Sequence, residues 1–413
     1  MNQNQPFNQL LAIPNFRKLW ISQLLSQLTI NLVNFSILTH IYSSTRSSIA
    51  VSMLWVAYSL PTLFVTPFSG ALVDRYSLKK TMIITNLFQG ITVLIFLLVS
   101  GRVFSLYSLV FIYSLLDQFY IPAQQSSIPW LVPRGLLTVA NGIFFLTQQA
   151  SFIAGFGLAG LLISTIGQTP TIVMASLFLF AASFSACFLP GDDHRIRVEK
   201  MDFSKFIDDF KLGLNFIKSH HLVKFPVILA VVFQVLITIV TITLPTYTQE
   251  VLGLNLNQAS LYLILPAGIS AFVFTFSLPR LLHHWRKKKV VELGILFASV
   301  SLLLLALLGV IGPAKNILAV ITAILLGISF AAIITSSQTS IQEHTPTEFR
   351  GRIYSFMGLL MSLTTLIPLL LAATLSEIIG VAPMMGALSL IIFAGYLFIR
   401  FKGDHALANG FRI

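Results

Sequence analysis

The chain has 413 residues, of which 56% are hydrophobic and only 10% charged, with a formal net charge of +12. Soluble domains carry about 25% charged residues, so a water-soluble fold is excluded and the solvent is a lipid bilayer. The positive charge does not mark a nucleic-acid binder, because the basic residues sit in brief gaps between apolar runs instead of gathering on one soluble domain.

Residues 1–15 are polar and lack the basic flank, apolar stretch and small-residue cleavage site of a signal peptide, so the first span is expected to be retained. Apolar runs then predict transmembrane helices at 17–42, 48–73, 79–100, 103–127, 136–165 and 168–190. A second set follows at 222–249, 257–282, 289–311, 315–342, 352–378 and 381–400. Each run approaches or exceeds the roughly 20 residues that cross a bilayer as a helix. The runs are continuous, where a membrane barrel would alternate. The expected fold class is an all-α integral membrane protein of about twelve transmembrane helices.

The longest gap divides the spans equally. The expected organisation is an N-terminal six-helix half at 1–190, a cytoplasmic linker at 191–221 and a C-terminal six-helix half at 222–413. In the linker, Phe203, Phe206, Ile207, Phe210, Leu214 and Ile217 share one helical face, with Asp202, Lys205, Asp208, Asp209, Lys211 and Lys218 around the rest. That pattern predicts an amphipathic helix lying on the membrane surface.

Orientation follows from the basic residues. Arg17 and Lys18, then Arg75, Lys79 and Lys80, Arg134, the basic residues of 195–224, Arg280 with Arg286 to Lys289, Arg350 and Arg352, and Arg400, Lys402 and Arg412 all fall on one side. The other side has Arg46, Arg102 and Lys315. The alternation predicts an even number of spans with both termini in the cytoplasm, in a plasma membrane that for a bacterium is the inner one. Cys187 is the single cysteine, so no internal disulfide can form.

Polar residues inside the spans need partners that lipid does not supply. Gln23, Gln27, Asn31 and Asn34 recur at intervals that place their amides along one face of the first span. They either line a water-filled cavity or hydrogen-bond to neighbouring helices. The seventh span has a matching stripe, Gln234, Thr238 and Thr241, and this symmetry favours the cavity. Gln148, Gln149 and Ser151 add polarity to the fifth span, and His40 lies near the outer end of the first.

Asp117 is the one acidic residue placed well inside a span, beyond the middle of the fourth. A charge at the membrane centre costs roughly 2.5–3.5 kcal/mol, so this carboxyl is paired, wetted or protonated. Three roles remain open for it: proton carrier, binder of a cationic substrate, or hydrogen-bonded structural group. Glu250, Glu292, Glu343 and Glu377 fall near span ends, where the carboxylates reach water. There is no Walker-type loop, no Cys/His metal spacing and no nucleotide-binding domain. No enzymatic activity, cofactor or metal is therefore expected, and the expected partners are a small-molecule substrate, protons and the lipid bilayer.

The segment Gly70-Ala-Leu-Val-Asp74-Arg75-Tyr-Ser-Leu-Lys79-Lys80 joins the second span to the third. Gly70 permits close helix approach, Asp74 can face the positive N-terminus of an adjacent helix, and Arg75 and Lys79 hold the loop at phosphate level. The segment resembles the G-x-L-x-D-R-x-G-R-K loop signature of the major facilitator superfamily. Gly70, Leu72, Asp74, Arg75 and Lys79 match, whereas Ser77 and Leu78 depart from it. Asn15 to Trp20, Pro122-Ala123 through Val132-Pro133 to Ala140-Asn141, and Thr345 to Arg352 resemble the drug-proton antiporter branch that contains macrolide efflux pumps and the enterobactin exporter.

The resemblance implies two six-helix halves related by pseudo-two-fold symmetry, with loop 70–80 gating an alternating-access carrier whose first and seventh spans flank the pathway. It implies proton-coupled export of a small amphipathic molecule such as a drug or siderophore. The fifth span reads Gly155-Phe-Gly157-Leu-Ala-Gly160, which keeps the small residues of the exporters' motif for helix packing but has Phe156 where they have proline. That departure leaves open an uncoupled or differently coupled carrier, such as a lysolipid mover or a nutrient importer.

Overall fold

A computed structural model describes residues 5–73, 76–99, 101–191, 211–212, 214–311, 315–345, 357, 360 and 368–406. Among them, eleven helices are long and apolar enough to cross a membrane, and the shorter apolar helix Pro368–Ile379 covers the C-terminal end of the expected eleventh span. The first six are Pro14–Thr45, Ser48–Val73, Leu78–Val99, Val103–Leu131, Leu137–Ile166 and Gln168–Cys187. The seventh is His221–Glu250, and the eighth begins at Leu256, passes a π-helical turn at Ser260–Ile264 and continues as Leu265–His284. Lys287–Leu307, Lys315–His344 and Val381–Ala406 are the ninth, tenth and twelfth. The chain is an all-α integral membrane protein, with every described span centred within a few residues of its expected position.

The described chain divides into two compact units, one of residues 1–45 with 53–201 and the other of residues 46–52 with 202–413. In the first, the third span packs against the fourth and sixth, and the first span against the fifth and sixth. In the second, the ninth packs against the tenth and twelfth, and the tenth against the seventh and eighth. Residues 46–52 join the second unit through Glu377, which accepts hydrogen bonds from the Ser47 hydroxyl at 2.7 Å and the Ile49 N–H at 3.1 Å.

Between helices in lipid there is no hydrophobic drive, so close packing of small residues and interhelical hydrogen bonds hold the bundle. The two units use the same device at the same place. Ser176 on the sixth span donates to the Gly90 carbonyl at 2.9 Å, and Ser389 on the twelfth donates to the Ser299 carbonyl at 2.8 Å. Gly167 and Gly380, which turn the chain into these spans, have φ of 88° and 87°, a region that only glycine enters freely. Each is followed three residues later by a proline, in Ile166-Gly167-Gln-Thr-Pro170 and Ile379-Gly380-Val-Ala-Pro383. The internal repeat is thus written in the turns as well as in the spans.

Of the expected linker helix, Phe203, Phe206, Ile207 and Phe210 lie outside the described residues. Residues 214–219 are helical, and Ile217 is buried with Phe216 against Val223, Val227 and Ala230 of the seventh span.

Candidate functional site

The fourth span continues to Leu131 through Pro122 and Pro129, four residues beyond its expected end. Proline is tolerated there because neighbouring helices can satisfy the carbonyls it frees. The extension makes Asp117 the midpoint of the helix instead of a residue displaced toward one end.

Asp117 is 7% exposed and is held by neutral donors. The Tyr58 hydroxyl of the second span lies 3.5 Å from Oδ2, and Gln89 Nε2 of the third lies 3.4 Å from Oδ1. Both bonds are long, at or beyond the usual range, so neither fixes the carboxyl tightly. The scaffold around it is firmer. Ser114 donates to the Tyr58 carbonyl at 2.6 Å, and Gln118 bridges to the second span through Thr66 at 2.6 Å and Thr62 at 3.2 Å. These bonds fix the Tyr58 backbone beside the turn that carries Asp117.

One turn further along, Tyr120 lies 3.4 Å from the Ser22 hydroxyl, which also accepts from Asn86 Nδ2 at 3.3 Å. The polar cluster therefore spans the first four helices of the first unit. Sequence reasoning singled out Asp117 but not Tyr58, Asn86, Gln89, Tyr113 or Tyr120. Asn86 and Gln89 did carry a signal, two amides three residues apart on one face of an apolar span. The tyrosines carried none, since their hydroxyls are recognisable as partners only once the helices are packed.

The amide stripe of the first span divides by environment. Gln23 donates to the Phe144 carbonyl on the fifth span at 3.0 Å, tying two helices together. Asn31 donates to the Gln27 carbonyl of its own helix at 2.7 Å, Gln27 is half-buried, and Asn34 lines a small cavity within the first unit. In the fifth span Gln148 is exposed, Gln149 half-buried and Ser151 buried. In the seventh, Gln234 and Thr241 are half-buried, and buried Thr238 bonds the Gln234 carbonyl at 2.9 Å. Trp20 donates to the Thr147 hydroxyl at 2.7 Å and reinforces the contact of the first and fifth spans.

Gly155 presses directly on Asn31, so that a Cβ there would collide with the asparagine's own. Gly157 and Gly160 are buried on the same helix, and Phe156 packs edge-on against Phe35 at 6.0 Å. In the loop motif, Gly70 is helical while Asp74 and Arg75 lie outside the described residues. Lys79 donates to the Leu189 carbonyl at 2.7 Å and Lys18 to the Phe188 carbonyl at 2.9 Å, two cations on the negative end of the sixth span. Among the described residues no group of His, Cys, Asp and Glu could hold a metal ion.

Residues 19–368 match the family model described as Major Facilitator Superfamily. Macrolide efflux protein A of Streptococcus pyogenes is 24% identical over 372 residues, covering 89% of this chain and 90% of that protein. The MFS-type transporter YfiS of Bacillus subtilis is 24% identical over 354 residues, covering 81% and 80%. Among solved structures, the nucleoside transporter NupG matches with a TM-score of 0.71 at 13% identity, over 94% of this chain and 99% of its own. A bacterial homologue of the iron transporter ferroportin in an inward-facing state matches at 0.70 and 16% identity, over 94% and 99%.

Proposed function

The chain belongs to the major facilitator superfamily, and on that premise we propose that it exports a small amphipathic molecule, of the drug or siderophore kind, in exchange for protons. Asp117 carries the reading. A carboxylate at the membrane centre that has only neutral donors beside it keeps its charge uncompensated, and such a group can change charge during a transport cycle. Similarity to Macrolide efflux protein A over nearly the whole chain supports the outward direction.

In this reading both termini face the cytoplasm and each half presents a neutral polar stripe to the substrate. Gln27, Asn31 and Asn34, with Gln148 or Gln149, serve in one half, and Gln234, Thr238 and Thr241 in the other. Amides and hydroxyls without fixed charge suit an amphipathic ligand, because they offer hydrogen bonds without demanding a counter-ion. Gly70, Asp74, Arg75 and Lys79 gate the cycle at the cytoplasmic face.

The test is efflux of labelled erythromycin, and separately of a catecholate siderophore, from proteoliposomes with and without an imposed pH gradient. The gradient should accelerate efflux of at least one probe, and Asp117→Asn should abolish that acceleration while downhill exchange persists. Efflux that ignores the gradient and survives the substitution sinks proton coupling and leaves an uncoupled carrier.

A further inference from the structure

Against Tyr58, whose hydroxyl reaches Asp117, lies a cavity of about 20 Å³ within the first unit. On that measure a single water needs about 10–15 Å³ together with two or more polar partners. Tyr58 and Tyr113 line it together with Asn34 and Thr92, while Phe96 and Val110 supply apolar walls. Tyr113 is 4% exposed and its hydroxyl has no hydrogen-bond partner among the described residues, although a buried polar group left unpaired costs about 1–3 kcal/mol. Tyr113 stands one helical turn before Asp117 on the same face of the fourth span, so its ring and the carboxyl flank Tyr58 together.

We propose that this cavity is a water site and the proton entry to Asp117, with Tyr58 as the relay between them. The inference rests on the reading of Asp117 as the proton carrier. An excess proton arriving from the outer side makes the water at Tyr113 and Tyr58 a hydronium, which hands a proton to the Tyr58 hydroxyl as that hydroxyl releases its own to Asp117 Oδ2, 3.5 Å away. One O–H bond breaks and one forms at the tyrosine, a hydronium becomes water, the carboxylate becomes a carboxylic acid, and no electrons move.

Gln89 is a positioning residue in this scheme. An amide does not pass protons readily, and its N–H, 3.4 Å from Oδ1, holds that oxygen and leaves Oδ2 to the tyrosine. The titratable groups that face Asp117 are Tyr58 from the second span and Tyr113 and Tyr120 from its own, while the third span offers Gln89. His40 packs edge-on against Phe96 at 5.8 Å, on the far wall of the cavity. The cavity lies toward the N-terminal end of the fourth span, which the charge pattern of the loops assigns to the outer side, where an antiporter would load its protons.

The experiment is infrared difference spectroscopy of the full chain in lipid, following the carboxylic-acid carbonyl band that Asp117→Asn removes, and its rate of hydrogen–deuterium exchange after a switch to D₂O buffer. Tyr58→Phe, Tyr113→Phe and the cavity-filling Thr92→Leu should each slow exchange at that band by about tenfold or more. Unchanged exchange in all three variants, with the band still lost in Asp117→Asn, overturns the entry route and leaves Asp117 as a proton carrier. If Asp117→Asn removes no band at any pH, the carrier reading falls and this inference with it.

Discussion

Ser299 and Ser389 bond each other's backbone reciprocally: the Ser389 hydroxyl donates to the Ser299 carbonyl at 2.8 Å, and the Ser299 hydroxyl to the Ser389 carbonyl at 3.1 Å. Both side chains are buried where the ninth span meets the twelfth. A hydrogen bond between membrane helices contributes about 0.6 kcal/mol. Ser299→Ala and Ser389→Ala should therefore each lower the melting temperature slightly. The double variant should lose less than the sum of the two, because the pair shares one close approach. Thermal denaturation in detergent across the four-member cycle measures this.

The glycine contacts predict a sharper contrast. At Gly155 an added Cβ would collide with Asn31, whereas at Gly142 on the same helix nothing lies within 4 Å. Gly155→Ala should destabilise by about 1–3 kcal/mol through overpacking. Gly142→Ala should be neutral or stabilise by up to about 1 kcal/mol through helix propensity. Equal effects in the same denaturation assay would mean that the first and fifth spans do not approach this closely.

Among the amides, Gln23 and Gln27 separate two roles. Gln23 is bonded to the Phe144 carbonyl, so Gln23→Leu should reduce stability by about 0.6 kcal/mol. Gln27→Leu removes no bond that its side chain makes to another helix in this structure, so in the proposed function its effect should be a raised KM for efflux at an unchanged melting temperature. Paired measurement of stability and efflux on the two variants decides the matter. A fall in stability for Gln27→Leu with unaltered KM would remove it from the substrate route.

Much of the fold was legible because the bilayer imposes a simple rule on sequence. Apolar runs must be long enough to cross, and charges must be kept to the gaps, so the spans and their count could be read from the pattern alone. The fourth span runs four residues past its expected end at 127, through Pro129, because a proline near the end of a membrane helix need not stop it. The effect of such a proline is absorbed by neighbouring helices that no local pattern displays. The repeat in Ile166-Gly167-Gln-Thr-Pro170 and Ile379-Gly380-Val-Ala-Pro383 was present in the sequence throughout, but only the shared positive φ shows what it is for.

The candidate site was legible only in its central residue. Asp117 stands out because a carboxyl in an apolar helix is costly wherever it sits, a property of the residue and its immediate neighbours. Its surroundings are not local. Tyr58, Gln89 and Asp117 are contributed by three helices, and the periodicity of each helix records which face is buried without recording what that face will meet. The sequence by itself determined the membrane class, the succession of spans, the family resemblance and the existence of one intramembrane acid. Only the tertiary structure decided that the acid faces neutral donors, that Gln23 bonds the Phe144 carbonyl, and that a water-sized cavity adjoins Tyr58 and Tyr113, because hydrogen-bond partners and voids belong to the spaces between helices.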